Sequence, residues 1–324
     1  MSVPAAKISL VVPLYNEEAV VPHLRPAVDA LAATLERDEN CTVEILLVND
    51  GSRDGTWPLL VEWAAANPRV RAVSLSRNFG HQAALTCGYH LAAGDAVVTM
   101  DADLQDPPEV VAQLVREWRA GYDIVYAVRA SREGESSFKL WTARWFYRLI
   151  ARISDSPLPL DAGDFRLLSR RAVDALNALH ERHRYLRGLV AWIGYPTTIV
   201  RYDRRARVAG TTKFSLLRML RFAIDATVSF STFPLRLFYF VGFLCLLPLL
   251  GYLAYNLIAY FFLGLKPVPG WTSLIVAVIG LGSLNLLCLG ILGEYVGRIY
   301  EESKNRPLFI VQQKAGKPGE PPRL

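Results

Sequence analysis

Cysteine is scarce in this sequence and never paired. The 324 residues include four cysteines, and none of them belongs to a CxxC arrangement. We therefore expect reduced, small apolar side chains at these positions, and a small disulfide-stapled fold is excluded. Glycine-rich phosphate-binding loops are also missing, since neither GxGxxG nor GxxxxGK followed by Ser or Thr occurs. The N-terminus has no charged segment followed by a long apolar run, so we expect no signal peptide.

Charge is missing from two long stretches of the chain. No Asp, Glu, Lys or Arg occurs at 237–265, a run of 29 residues, or at 267–293, a run of 27. Apolar residues make up 52% of the chain and the mean hydropathy is +0.21, which excludes a disordered or purely soluble chain. These runs predict two membrane-spanning helices, at 237–263 and 272–293, within a hairpin at 234–297. A buried helical hairpin in a soluble domain is the alternative, and the length of the two runs disfavours it.

Basic residues concentrate ahead of these apolar runs. Between residues 129 and 236 there are 20 Lys and Arg against 9 Asp and Glu, whereas the net charge of the whole chain is +6. The positive-inside rule then places the N-terminal domain, the tail at 298–324 and both termini in the cytoplasm. We expect a multi-pass protein of the inner (plasma) membrane. The part of the tail after Gln313 is rich in Lys, Gly and Pro, and we expect it to be disordered.

Two amphipathic segments lie inside the basic region. Residues 139–153 and 213–233 combine arginine with stripes of apolar or aromatic residues, which predicts interfacial helices on an anionic membrane. Ordinary amphipathic helices packed on the domain are the alternative. The basic charge also suits a phosphorylated acceptor. Nucleic acid is not expected as a partner, because no nucleic-acid-binding motif accompanies the charge.

The first half of the chain alternates between apolar runs of strand length and helical segments. Two of the helical segments are 18–35 and 108–120. This alternation predicts an α/β domain, residues 1–233, with a parallel sheet covered on both faces. The predicted strands are Lys7–Leu14, Val43–Asn49, Val70–Ser76, Ala96–Met100 and Ile124–Val128. Ligands of such sheets bind at the carboxyl ends of the strands.

Polar clusters follow three of these strands. The pair Asp101 and Asp103 ends the fourth strand, and the period of two puts both carboxylates on one side. With Gln105 they offer oxygen ligands for Mg²⁺ or Mn²⁺ held jointly with a diphosphate. Asp50, after the second strand, can accept a hydrogen bond from a base imide or a ribose hydroxyl, although a plain Asp-Gly turn is the alternative. The cluster that begins at Tyr15 is equally consistent with a cap of the first helix.

The order of the motifs adds a family resemblance. VVPLYNEE, VNDGSRDGT, LSRNFGHQAAL, DADLQDPPE, GDFRLLSR, RYLRGL, AGTTKFS and GEYVGRIYEE occur in this order. This series resembles the polyprenyl-phosphate glycosyltransferases of glycosyltransferase family 2, in the GtrB-like branch related to dolichol-phosphate mannosyltransferase. The resemblance covers nearly the whole chain. It implies a GT-A fold and inverting transfer of a sugar, glucose from UDP-glucose being preferred, to a polyprenyl phosphate. Asn49 departs from the family pattern, in which many relatives carry a second Asp.

The strand-end pattern and the resemblance together give the expected site residues. Asp164 of GDFRL is expected to position the acceptor or sugar hydroxyls, or to act as a base, and His81 is assigned a structural role. The expected catalytic residues are Asp101, Asp103 and Asp164, and the expected metal ligands are Asp101, Asp103 and Gln105. Nucleotide-sugar binding is expected at Pro13, Tyr15, Asn16, Glu17, Asp50, Ser52, Asp101 and Ala102. Acceptor-phosphate binding is expected at Arg129, Arg201, Arg204 and Lys213.

Several alternatives to this donor and this function stay open. The donor could instead be GDP-mannose or a nucleotide-linked modified aminosugar. A non-catalytic membrane scaffold is disfavoured by the intact DAD, NDGS and GDFRL motifs, and a processive synthase by the lack of a QxxRW string. This function is compatible with several partners: further copies of the chain in a dimer or tetramer, a flippase, and a downstream glycosyltransferase.

Overall fold

The computed structural model describes residues 5–129, 162–182, 184–203 and 270–316, together with seven isolated positions between 247 and 262. These residues divide into two compact units. The first holds the described residues up to 203 together with 306–316, and the second holds those from 247 to 305. The predicted interfacial segments at 139–153 and 213–233 and the boundary at 233 lie outside the described residues. So does the first predicted span at 237–263, apart from the isolated positions.

The first unit is built on one sheet. Six helices accompany it: α1 (Val21–Asp38), α2 (Thr56–Ala66), α3 (His81–Leu91), α4 (Val110–Arg119), α5 (Arg170–Asn177) and α6 (Leu186–Trp192). The described residues form eight strands: β1 (Ala6–Leu14), β2 (Cys41–Asn49), β3 (Val70–Leu75), β4 (Ala96–Thr99), β5 (Ile124–Arg129), β6 (Ala162–Ser169), β7 (Thr197–Tyr202) and β8 (Val311–Ala315). Their order in the sheet is β7-β5-β6-β4-β1-β2-β3-β8.

The sheet is mixed, and the prediction of a purely parallel sheet is therefore wrong. The five predicted strands are present and share one direction, but β6 lies antiparallel between β4 and β5, and β8 lies antiparallel to β3. The sequence of β6 did not indicate a buried strand, because it carries Asp164 and Arg166 among its apolar residues. The α/β fold with a mixed central sheet, as in GT-A-like domains, agrees with the predicted fold class.

Helices cover both faces of the sheet. Apolar residues of α1, α2 and α4 join one core cluster with alternate residues of the strands, such as Leu10 and Leu47. Helix α3 packs on the other face, where a Cβ at Gly88 would lie 2.2 Å from Cγ1 of Val11. Only glycine allows this close approach of helix and strand. The approach fixes the height of α3 over β1, and hence the position of its first residue, His81.

The C-terminal strand completes the edge of the sheet. Gln313 pairs with Ser74 of β3, and Ser76 N donates to Ile310 O over 2.9 Å. The expectation of disorder beginning after Gln313 is therefore wrong as far as Gly316, and 317–324 lie outside the described residues. The sequence did not indicate this strand, because Gln312, Gln313 and Lys314 show no apolar alternation. Backbone pairing with the edge of β3 decides its structure instead.

The second unit contains the long helix α7 (Trp271–Ser303). Within the described residues one helical segment, Gly280–Ser303, is long and apolar enough to cross a membrane, judged by length and composition alone. The predicted span at 272–293 falls within α7, which continues ten residues further. A second span and the multi-pass topology stay predictions.

Candidate active site

The carboxyl ends of β1, β2 and β4 lie side by side, because these strands are parallel neighbours. The chain therefore brings Tyr15, Asp50 and Asp101 to one edge of the sheet. The beginning of β6 lies at the same edge, since Arg166 pairs with Thr99 near the end of β4. Asp164 of β6 thus joins the strand-end residues in a single crevice.

The loops after β1 and β2 are hydrogen-bonded to each other. Asn16 N donates to Ser52 Oγ over 2.9 Å, and Arg53 N donates to Asn16 Oδ1 over 2.9 Å. Glu17 N donates to the hydroxyl of Thr56 over 2.9 Å. Asn16 has a φ of 54°, a left-handed conformation that asparagine tolerates better than most residues. The side chains of Asn16 and Ser52, predicted to bind the nucleotide, thus join the two loops in this structure.

Tyr15 and Pro13 differ in their access to the crevice. Tyr15 is exposed beside the joined loops, whereas Pro13 is buried in β1 opposite Val48 of β2. Of these two predicted nucleotide contacts, Tyr15 alone offers a side chain at the surface. Pro13 can therefore influence a ligand only by setting the path of the backbone at the end of β1.

Asp50 is buried and bound to the loop that follows β3. Its carboxylate accepts hydrogen bonds from Phe79 N over 2.7 Å and Gly80 N over 2.9 Å. Burial raises the pKa of Asp50, and the two backbone donors oppose that rise. Gly51 has a φ of +63°, and a Cβ there would lie 2.3 Å from the carbonyl carbon of Arg77. The Asp-Gly turn therefore fixes the loop at 76–80.

The departure at Asn49 has a structural explanation. Its amide donates to Ser74 Oγ over 2.9 Å, and its carbonyl accepts from Ser52 N over 3.2 Å. The side chain is buried and joins β2, β3 and the turn after β2. Asn49 thus shapes the loop without facing the crevice.

The DAD motif presents carboxylates and one buried amide oxygen. The side chain of Asp101 is 40% exposed, and Ala102 between the two acids is buried. Desolvation within the crevice and the neighbouring carboxylates raise the pKa of Asp101. Gln105 N donates to Asp103 Oδ1 over 3.1 Å, while Gln105 Oε1 is buried with no hydrogen-bond partner in the described part of the chain. An oxygen of this kind is available to a metal ion or a ligand donor.

His81 lies between two of the acids. Its Nε2 is 3.6 Å from Asp101 Oδ1 and 3.6 Å from Asp164 Oδ2. Desolvation opposes protonation, but the two carboxylates outweigh it and raise the pKa of His81. The sequence analysis gave His81 a structural role, and the structure places it within the acidic crevice instead. Its position directly after Gly80, at the start of a helix, was the signal in the sequence.

Asp164 is the most strongly held carboxylate of the crevice. It accepts from Arg166 Nη2 over 3.0 Å, from Arg187 Nη2 over 3.0 Å and from Arg187 Nε over 3.3 Å. Burial opposes its ionisation, but His81 and the two arginines hold the pKa of Asp164 well below its usual range. Arg187 was not among the predicted site residues. The RYLRGL motif that contains it was the available signal.

The predicted acceptor arginines lie on different faces of the sheet. Arg129 pairs in register with Tyr202, whereas Arg201 pairs with Val128, so strand alternation turns the two arginines to opposite faces. The hydroxyl of Tyr202 donates to the buried Asp106, and burial raises the pKa of Tyr202 while the nearby Arg129 opposes that rise. Two further predicted acceptor contacts, Arg204 and Lys213, lie outside the described residues.

A metal ion would find part of its ligands in the crevice. Among the described residues, no group of three or more His, Cys, Asp and Glu side chains is arranged to hold a metal ion. Asp101, Asp103 and the unpartnered oxygen of Gln105 form an oxygen donor set typical of Mg²⁺ or Mn²⁺. These residues fit a cation that completes its coordination with oxygens of a bound diphosphate.

Comparison with known proteins identifies the family. Residues 9–176 match the model of glycosyl transferase family 2. The bactoprenol glucosyl transferase of Shigella phage SfV is 40% identical over 311 residues, which is 96% of this chain and 100% of that protein. The uncharacterized glycosyltransferase sll0501 of Synechocystis sp. is 44% identical over 310 residues, 96% of each chain. Glucosyl-3-phosphoglycerate synthase from Mycobacterium tuberculosis is similar in structure, with a TM-score of 0.47, 23% identity and coverage of 69% of this chain and 79% of that one. The chain therefore belongs to glycosyl transferase family 2, in the branch of the bactoprenol glucosyl transferases, and is a glycosyltransferase.

Proposed function

We propose that this enzyme transfers glucose from a nucleotide sugar, with UDP-glucose as the donor, to a polyprenyl phosphate. The bactoprenol glucosyl transferase that matches the chain over its whole length supports the sugar and the acceptor. The observation that carries the proposal is the crevice itself, in which His81 joins Asp101 of the DAD motif to Asp164, and Asp164 in turn holds the partly exposed Arg187. Such a crevice suits a reaction between two phosphate-bearing substrates.

The donor is proposed to bind at the carboxyl ends of β1, β2 and β3. Tyr15 offers an exposed ring beside the joined loops, and Asp50 fixes the loop at 76–80 that closes this half of the crevice. Asn16, Glu17 and Ser52 contribute by holding the shape of the two loops. The nucleotide is thus bound by side chains and fixed loops, in keeping with the missing glycine-rich motif.

The diphosphate of the donor is proposed to lie against the DAD motif at the end of β4. Asp101, Asp103 and Gln105 would hold Mg²⁺ or Mn²⁺ there, and the ion would neutralise negative charge on the leaving diphosphate. Asp101 lies beside three other acids, Asp103, Asp106 and Asp164, whose charges raise its pKa. A cation at this point would relieve that repulsion.

The acceptor needs no general base. The second pKa of a phosphate monoester is about 6, so the attacking oxygen is already anionic at neutral pH. That oxygen forms a bond to C1 of the sugar while the bond from C1 to the diphosphate breaks, and the electron pair leaves with the diphosphate. Arg129, which pairs in register with Tyr202 at the end of β5, is proposed to hold the acceptor phosphate, with Arg201 as a second candidate contact from the end of β7.

A transfer assay tests this function. The purified full-length enzyme is given a short-chain polyprenyl phosphate, Mg²⁺ or Mn²⁺, and in turn UDP-glucose, GDP-mannose and a UDP-linked N-acetylaminosugar, and the lipid product is identified by mass spectrometry. We expect a lipid-linked hexose from UDP-glucose and its loss on chelation with EDTA. Product formed from GDP-mannose alone would refute the donor, and full activity in metal-free buffer would refute the metal site.

The site is proposed to work at the inner face of a membrane. Helix α7 has one segment long enough to span the bilayer, and Arg306 follows it on the side expected to be cytoplasmic. Reporter fusions at the two termini test the topology. A terminal fusion that is active only in the periplasm would contradict it.

A further inference from the structure

Asp164 is surrounded by basic side chains from three separate segments. Arg166 comes from the same strand, Arg187 from α6 and His81 from the start of α3. Leu186, the first residue of α6, also donates its N–H to Gln82 Oε1 over 3.0 Å, which ties α6 to α3. Three sequence motifs, GHQ, GDFRL and RYLRGL, thus meet at one carboxylate.

The two arginines at Asp164 differ in what they can reach. Arg166 is completely buried, so no substrate contacts it. The side chain of Arg187 is 38% exposed. Its Nε and Nη2 both donate to Asp164, which is the side-on arrangement. Because a guanidinium is planar and rigid, this pairing directs the edge that carries Nη1 away from Asp164.

The position of Arg187 in the fold favours the acceptor over the nucleotide. In the sheet, β4 separates β1, β2 and β3 on one side from β6, β5 and β7 on the other. The proposed nucleotide contacts follow the first group of strands, whereas Arg129 and Asp164 belong to the second. Arg187 is anchored on Asp164, and it is linked through His81 to Asp101 at the centre of the crevice. An anion held there would lie next to the diphosphate site.

We propose that Arg187 binds the phosphate of the lipid acceptor, and that Asp164 is the positioning residue that orients Arg187 and does not accept a proton. This inference rests on the proposed function. The proposed reaction is consistent with this role of Asp164. The acceptor oxygen forms its bond to C1 as the diphosphate leaves, and no proton is transferred to Asp164. Arg187 would then bind the phosphate while the buried Asp164 holds its Nε and Nη2 in place.

The test uses Arg187→Lys and Arg187→Gln in the full-length enzyme. Lysine keeps the charge but lacks the fork that can bind Asp164 and a phosphate together. We expect the Kd of a short-chain polyprenyl phosphate, measured without donor, and its KM to rise by about tenfold or more. The Kd of UDP and the KM of the donor should stay within about twofold of wild type.

Arg171→Lys is the matched control. Arg171 donates Nε and Nη2 to Asp123 in the same side-on manner, but Asp123 precedes β5 and lies at the opposite end of that strand from the crevice. This variant should leave both Kd values unchanged. Unchanged binding of the lipid phosphate in the two Arg187 variants would overturn the proposal. A loss confined to UDP would overturn it too, and would assign Arg187 to the leaving diphosphate.

Asp164→Asn separates positioning from proton transfer. If Asp164 acts through Arg187, the variant weakens lipid-phosphate binding, and adding it to Arg187→Gln changes that binding little further. A fall in kcat with unchanged acceptor binding would overturn the positioning role. Thermal denaturation shows whether the variant is folded, and if it is not, the Arg187 and Arg171 variants decide. Because lipid binding is measured without turnover, a wild-type enzyme that binds the lipid but does not transfer glucose would refute the proposed function alone.

Discussion

Tyr202→Phe tests how Arg129 is held, and Tyr126→Phe is its natural control. Both tyrosines are buried, at 7% and 2% exposure. The hydroxyl of Tyr202 donates to the buried carboxylate of Asp106, and Arg129 lies near enough to influence its pKa. The hydroxyl of Tyr126 has no hydrogen-bond partner among the described residues. The same chemical change therefore removes a bond to a charged group in one case and an unsatisfied hydroxyl in the other.

The expected change in the free energy of unfolding follows from the surroundings of the two hydroxyls. A hydrogen bond to a charged group contributes about 1.5–3 kcal/mol, and leaving Asp106 less satisfied puts Tyr202→Phe in that range. For a unit of this size each kcal/mol lowers Tm by about 2–4 °C, so we expect a loss of several degrees. Tyr126→Phe should leave Tm unchanged or raise it, because no bond is lost. Since Arg129 loses a polar neighbour at the end of β5, Tyr202→Phe should also raise the KM of the lipid acceptor.

Thermal denaturation of the two purified variants, followed by kinetics with each substrate varied in turn, measures both effects. Equal Tm values for the two variants would refute the argument that Asp106 depends on Tyr202. A lower Tm for Tyr202→Phe with an unchanged acceptor KM would instead remove Arg129 from the acceptor site.

Three further predictions concern the metal site, a half-buried histidine and the last strand. Asp103→Ala should lower turnover in the transfer assay by about 100-fold or more while the protein stays folded. The control Asp174→Asn, at an exposed position, should not lower turnover. Equal activity of the two variants would contradict the metal site. Burial lowers the pKa of His90, so its folded-state pKa lies below the unfolded value of 6.5 and stability is lost as the pH falls below that value. His90→Gln should accordingly flatten the dependence of Tm on pH between about 5 and 7, and an unchanged slope would argue against this titration. A chain ending at Arg306 should have a lower Tm than the full chain, because it lacks β8 and the contact of Phe309 with His90, and an unchanged Tm would show that β8 does not stabilise the sheet.

The sequence by itself determined the parallel half of the sheet and the residues at its ends. Each of the five predicted strands is an apolar run bounded by helical segments, so local patterning was enough to find it. The DAD pair could be placed for the same reason, because a strand's end and its period of two are local properties. The order of the motifs also indicated the family, which the relatives confirm.

Tertiary structure alone decided the partners of Asp164. Arg166 is a neighbour in the strand, but His81 and Arg187 are separated from Asp164 by 83 and 23 residues in the chain. Only the placement of β6 beside β4, with α3 and α6 packed near it, brings the three basic side chains to one carboxylate. Their pairing with Asp164 keeps this carboxylate ionised. Contacts between residues so far apart in the chain cannot be predicted from composition or periodicity.

The two antiparallel strands, β6 and β8, show the same limit. Charged residues inside β6 and the glutamines of β8 hid both from any reading of apolar pattern. What makes them strands is backbone hydrogen bonding with β4 and β5 for β6 and with β3 for β8, and these partners lie far from them in the chain. The sequence could therefore determine which residues carry the chemistry, whereas the packing of distant segments decided which of them face each other.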